Sequence, residues 1–216
     1  MEQTAFTAAQ VCPIRANMTV SRSARLGESA AVTWFSMGAH TTISRESYDS
    51  PTLYLGGEGQ AAFLVGEPAR KAQLAAGDLL VLRGGTLCGV QCPDGAVYTE
   101  IIAKKEIIMN DIVKSGETIH LKDLISYEED SIANLDLAKN DSMKFVLMAF
   151  DAGTGLQPHR APGAAIVTAL EGKAIIGYEG KEYAVSAGDS FRFDKNGLHS
   201  VTADERFKMS LLLVLE

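Results

Sequence analysis

The chain has 216 residues, 46% of them hydrophobic and 22% charged, with a formal net charge of −7. That is enough chain for one large globular domain or two small ones. It carries no Lys/Arg stripe to track nucleic-acid phosphates, and no apolar run near the roughly 18 residues of a membrane span. The N-terminus lacks the basic start and long apolar core of a secretory signal. Three cysteines, an odd number, make no disulfide framework and imply a reduced, cytoplasmic setting.

In chain order, residues 1–17 read as a short helical or irregular arm to which no chemistry is assigned. From Thr19 onward the pattern is strand-like: TVSRSA, AAVTWFSM, TLYLGG, AAFLVG, DLLVLRGG and TEIIAKK. Each run is too short for an ordinary helix and rich in β-branched and aromatic residues. A charged, turn-rich stretch follows, with the linker between halves at Lys104–Asn110 and a short helix expected in LKDLISYEED. SIANLDLA and MKFVLMAFD resume the strands. Between Gly153 and His199 come AIVTAL and KAIIGY, split by Glu171-Gly172, and then SFRF after Gly188-Asp189. Glycine falls at the joints, where tight turns need positive φ.

The two halves align on each other. TLYLGGEG lies against AIVTALEG at an offset of 113 (Gly59 against Gly172), and Ala76-Gly77-Asp78 against Ala187-Gly188-Asp189 at an offset of 111. Two residues are therefore lost in one loop. A repeat this long means a duplicated domain, not a solenoid. The reading is all-β, with an N-terminal domain over 1–105 and a C-terminal domain over 106–216, each a small barrel or sandwich.

The Gly153–His199 stretch resembles the two cupin motifs. In the first, a Gly is followed by a His-x-His pair, then a Glu and a final Gly. Here Gly153, His159 and Gly172 keep their places, while Ala161 stands for the second His and Ala165 for the Glu. The second motif runs from a Gly to a His, here Gly188 to His199, with Asp194-Lys195-Asn196 and Gly197 between. The resemblance implies two tandem double-stranded β-helix (jelly-roll-like) barrels, a bicupin, with degenerate metal motifs. Family habit and the exposed edges of sheets add a homodimer.

Strand alternation puts Gln157, His159 and Ala161 on one face, which by the resemblance lines the barrel interior. His199 converges on it from another strand. Two imidazoles, with Gln157 as a neutral oxygen, would hold a divalent ion (Zn, Fe, Mn or Ni). A catalytic zinc usually has three protein ligands, and a two-histidine iron site needs a carboxylate. Phe191, Phe193 and Tyr178, with Ala161 and Ala165, either wall the same pocket or are simply core. Carried back by the offsets, the first half has Glu46, Tyr48, Thr52 and Cys88 at the His159, Ala161, Ala165 and His199 positions, a weak pocket in a barrel read as scaffold. His40 and His120 sit near turns and read as solvated. Asp78 and Asp189 read as turn formers. Cys88 and Cys92 face one side of a strand.

Three functions follow. The first is a binding protein that holds a small ligand in the C-terminal barrel, with or without a divalent ion. The second is a metal-dependent oxygenase or isomerase acting on a small polar metabolite, which requires a third ligand. The third is a structural protein with an inert pocket. No catalytic residue is assigned.

Overall fold

The computed structural model describes residues 4–215, and it is built of antiparallel strands. The chain divides into two compact units. The first contains Thr7–Arg25 and Ala30–His120. The second runs from Leu121 onward and includes Leu26–Ser29 and the segment ending at Phe6. Among the described residues no helix is long and apolar enough to cross a membrane.

The first unit opens with the one-turn helix α1 (Ala8–Val11), capped by Thr7, whose hydroxyl accepts the Gln10 N–H at 3.1 Å. Its strands are β1 (Thr19–Ala24), β2 (Ala30–Met37), β3 (Thr41–Glu46), β4 (Thr52–Val65), β5 (Arg70–Ala75), β6 (Asp78–Leu82), β7 (Cys88–Cys92), β8 (Ala96–Ala103), β9 (Ile108–Met109) and β10 (Thr118–His120). The second unit has β11 (Ile132–Lys139), β12 (Met143–Phe150), β13 (Gly155–Arg160), β14 (Ala164–Glu171), β15 (Lys173–Tyr178), β16 (Lys181–Ser186), β17 (Ser190–Phe193), β18 (Leu198–Ala203) and β19 (Phe207–Val214).

One pairing order recurs. In the first unit β1-β2-β8-β4-β6 run side by side, and the far half of β4 continues between β5 and β7, with β3 on β7. In the second unit β11-β12-β19-β14-β17 repeat the first path, and β13-β18-β15-β16 repeat the second. The irregularities recur too. The β3/β7 ladder slips between Ile43 and Glu46, and the β13/β18 ladder between Leu156 and His159. The β4/β8 ladder slips between Gly56 and Glu58, and β14/β19 between Ala169 and Glu171. Each second-unit slip lies 113 residues after its partner. The two missing residues belong to the hairpin: Gly66–Ala69 joins β4 to β5, whereas only Glu179-Gly180 joins β15 to β16.

Each unit buries its own core. Met37, Phe63, Leu80 and Tyr98 anchor the first, and Phe150, Phe191, Phe207 and Val201 the second. Full burial of such a side chain contributes roughly 1.5–3 kcal/mol. Strands β5 and β16 were not marked in the sequence because they are nearly all exposed. Each buries one side chain, Leu74 and Val185. The helix expected in LKDLISYEED is only the 3-10 turn Leu121–Asp123. Leu121 and Ile125 are pinned in the core, and Glu128-Glu129-Asp130 places like charges where a further turn would form. The stretch read as linker and turns also contains β9 and β10. Asp78 and Asp189 close equivalent turns, accepting the N–H of Ala75 at 2.8 Å and of Ser186 at 2.9 Å.

Gly59 and Gly172 hold equivalent joints with φ of +64° and +75°. A Cβ there would strike a backbone carbonyl, of Gly95 and Arg206 respectively. Gly180 also has positive φ, but nothing lies near its missing Cβ. Gly59→Ala and Gly172→Ala are therefore expected to cost roughly 1–3 kcal/mol from backbone strain, with the carbonyl clash in addition. Gly180→Ala should cost less. Urea-unfolding midpoints measure the ranking, and equal losses at all three sites would contradict it.

Candidate functional site: an acid–phenol cavity and a histidine pair

The first unit contains a small open cleft. Its walls follow from the ladders. Tyr54 on β4 lies opposite Glu100 on β8, and Phe35 on β2 lies opposite Tyr98 on β8. Alternation along β8 gives Tyr98 and Glu100 the same face, and all four side chains line the cleft. Glu46, Tyr48, Thr52 and Cys88, the four first-half positions expected from the repeat, line it as well. Glu46 and Cys88 are direct cross-strand partners.

Glu100 is the chemical centre of this cleft. It is only 7% exposed, and burial pushes its carboxyl up to about 7. The nearby Glu46 raises it further. Hydrogen bonds from the Tyr54 and Tyr48 hydroxyls, which favour the ionised form, oppose this. The Tyr48 hydroxyl donates its one proton to Glu46 Oε1 at 3.3 Å, so the exposed Glu46 and the buried Glu100 compete for the same donor. Burial and the neighbouring carboxylates hold Tyr48 up at about 12 and drive Tyr54 and Tyr98 well above the usual phenol range. Burial also pushes the Cys88 thiol up to about 12, against the pull of Arg45. The surroundings of Cys88 thus favour the thiol over the thiolate. Cys12, Cys88 and Cys92 are all free and buried.

Glu100 was not singled out from the sequence, although a signal was present. In AVYTEIIA it keeps phase with Tyr98, and the offset of 111 sets it on Leu211, an apolar position on β19. A glutamate where the repeat has leucine marks a carboxyl placed among core positions.

In the second unit His159 and His199 face each other across the β13/β18 ladder, with ring centroids 4.3 Å apart and planes tilted by 53°. Each Nδ1–H donates to a carbonyl two residues back, of Gln157 and Gly197, at 2.8 Å in both cases. A carbonyl only accepts, so each Nδ1 carries its proton and, in the neutral ring, Nε2 has the lone pair. His199 is buried, and burial lowers its pKa, helped by the nearby His159.

The alternation expected to turn Gln157, His159 and Ala161 inward together does not hold. The slip after Leu156 interrupts the ladder, and residues 157–160 are all exposed. His159 therefore meets a buried partner from an open rim. Ala161 lies half-buried just past β13, its carbonyl accepting the Asn196 N–H at 2.8 Å. Ala165, Tyr178, Phe191 and Phe193 pack into the core cluster, with Phe193 stacked on His199 at 4.2 Å. They are core, the plainer of the two roles the sequence allowed. His120, read as solvated, lies half-exposed with Nδ1 2.7 Å from Asp78 Oδ1, while His40 is exposed in its turn.

Among the described residues no group of three or more His, Cys, Asp or Glu side chains is disposed to hold a metal. The histidine pair brings two imidazole donors, and the position of the usual carboxylate is Ala165. The donor set does not fit a metal centre with three protein ligands.

Comparison with known proteins agrees with this fold. Residues 146–215 match the family model for the cupin domain. A cupin 2 conserved barrel domain protein from Leptotrichia buccalis superposes with a TM-score of 0.87 at 24% identity, covering 99% of this chain and 98% of that one. A variant of the salicylate 1,2-dioxygenase from Pseudoaminobacter salicylatoxidans in complex with gentisate superposes at 0.69 with 11% identity, covering 98% and 82%. A further structure of that variant gives 0.67 at 11% identity, covering 86% and 71%. No curated protein matches the sequence. The architecture is the all-β cupin fold, and the barrel of β11–β19 contains the matched cupin domain.

The raised Glu100 carboxyl fixes a pH dependence. The folded protein binds this proton more tightly than the unfolded chain. Its contribution to stability is therefore present below the ordinary glutamate range and lost as pH rises through about 7. The groups that act on it are Tyr48, Tyr54 and Glu46, with Cys88, Tyr98 and Arg83 in the same cleft. Glu100→Gln removes this ionisation. It is expected to be more stable than the parent at pH 8 by roughly 1–3 kcal/mol and to converge with it near pH 4. Parallel unfolding curves from pH 4 to 8 would contradict the assignment.

Proposed function

We propose that the protein is a small-ligand-binding cupin whose ligand enters the first-unit cleft and is held on Glu100. One observation carries this reading. A buried carboxyl opens into a cleft, and no cation of the protein appears among the groups that set its ionisation. A structural role would be served as well by the leucine of the equivalent position. Perturbed carboxyls in clefts mark functional sites more often than structural ones. The ligand's place thus moves from the second unit, where the sequence set it, to the first. The metal-dependent oxygenase or isomerase needs a third protein ligand, and among the described residues no third His, Cys, Asp or Glu joins His159 and His199.

The histidine pair supports a second, separate reading. With both Nδ1–H groups tied to carbonyls, each ring has Nε2 free to meet a cation, the arrangement that prepares imidazole for one. The two side chains suit a divalent ion whose remaining positions are filled by water.

Thermal melts test the first reading. A bound small molecule at a hundred times its Kd stabilises the fold by about 2.7 kcal/mol, a shift of several degrees. Shifts found with a panel of small polar molecules should vanish in Thr86→Trp, which fills the cleft from its wall. Shifts that persist would put the ligand elsewhere. For the second reading, calorimetric titration with Ni²⁺ should show one weak site per chain, lost in His159→Ala and in His199→Ala. Unchanged Ni²⁺ binding in either variant would refute it.

A further inference from the structure

The cleft's chemistry names a class of ligand, on the reading that the cleft is the binding site. Four hydrogen-bonding groups run in from its rim. Glu46 is exposed, Tyr48 is half-buried and bonded to it, and Glu100 and Tyr54 lie buried beyond. With Tyr98, two carboxyls and three phenols therefore line one small space. The rest of the wall adds ring faces. Phe35 and Tyr98 are stacked at 5.3 Å with planes 11° apart, and Tyr54 meets Tyr98 edge-on at 6.0 Å. Among the described lining residues Arg83 is the one cation, and it is exposed. It is not among the groups that shift Glu100.

This set of groups is unsuited to an anion. A carboxylate or phosphate would meet Glu46, Glu100 and the negative faces of the rings. A neutral polyol would find hydrogen bonds but would leave Glu100 without a counter-charge. A positively charged nitrogen satisfies every group at once. It supplies the charge missing opposite Glu100, donates hydrogen bonds, and lies against aromatic faces that attract cations.

We propose that the first-unit cleft takes a small organic cation, a protonated amine or a guanidinium, as the counter-ion of Glu100. The neutral Glu100 carboxylic acid and the cation become a carboxylate–cation pair, and one proton leaves for solvent. Tyr48 and the exposed Glu46 line the cleft between Glu100 and its mouth, the way by which that proton leaves. Binding is therefore tighter at higher pH until the free carboxyl is fully ionised, and constant above that.

The test uses the full chain and seven named probes. Methylguanidinium, ethylammonium and tetramethylammonium are the cations, glycerol and ribose the neutral compounds, acetate and benzoate the anions. Thermal shift and calorimetry at pH 6 and pH 8 read the binding. At least one cation is expected to raise the melting temperature, to bind several-fold more tightly at pH 8 than at pH 6, and to release protons at pH 6, seen as a buffer-dependent heat. Glu100→Gln should weaken that cation at least tenfold. Glu100→Leu restores the residue type of the equivalent Leu211, which secures a folded control, and should abolish binding. Arg83→Gln should tighten it two- to threefold. Ribose, glycerol or an anion binding in the cleft while every cation fails would overturn the cation assignment and leave the cleft as the site. Cation binding unchanged by Glu100→Gln would also overturn it. No binding by any of the seven would count against both the assignment and the site.

Discussion

Residues set opposite each other in an antiparallel ladder share a face, and a slip of one position sends a side chain to the other side. That constraint decides where every functional candidate in this chain lies. Tyr54 faces Glu100 because β4 and β8 pair in that register. Glu46 faces Cys88, and His159 faces His199, because β3/β7 and β13/β18 slip at equivalent points. Had the slip after Leu156 been absent, the imidazole of His159 would have kept strict alternation with its neighbours. With it, an exposed ring meets a buried one.

The same ladder positions carry different chemistry in the two units. Val167 and Leu211 are opposite one another on β14 and β19, and they bring only apolar atoms. Their counterparts Tyr54 and Glu100 bring a phenol and a carboxyl. In the second unit the interior is taken up by Phe191, Phe193 and Tyr178, whose rings contact one another. In the first, tyrosine hydroxyls and two carboxyls stand around a cleft, and the cost of burying Glu100 appears as its reluctance to ionise. Substitution at one site in an unchanged framework thus turns a packing position into a titrating one. Fold alone predicts neither outcome.

Much of the architecture was legible in the sequence, because the period-2 runs and the glycines at joints carry it. Gly59 and Gly172 need positive φ next to a neighbouring carbonyl, and both were visible as the ends of matched segments. Edge strands β5 and β16 were not, since a strand that buries a single residue leaves no alternation to read. The site was legible in part. The repeat offset brought Glu46, Tyr48, Thr52 and Cys88 together, and the structure sets all four in one cleft. It ranked that cleft below the histidine pair, because ligand types are easier to recognise than a buried carboxyl. Glu100 escaped notice for the same reason. It matches no motif, and only its phase within β8 and the leucine at the equivalent position distinguish it from a surface glutamate.

The central claim is that Glu100 is a buried carboxyl, neutral or ionised according to conditions near neutrality, at the heart of a binding cleft. Carboxyl-detected NMR on protein labelled at the glutamate side-chain carbon reads this directly, with the resonance assigned by its loss in Glu100→Gln. The account predicts one glutamate titrating with a midpoint at about 7, moving to lower pH when a bound cation fills the cleft. A Glu100 resonance that titrates in the ordinary glutamate range, with or without added cation, would contradict it.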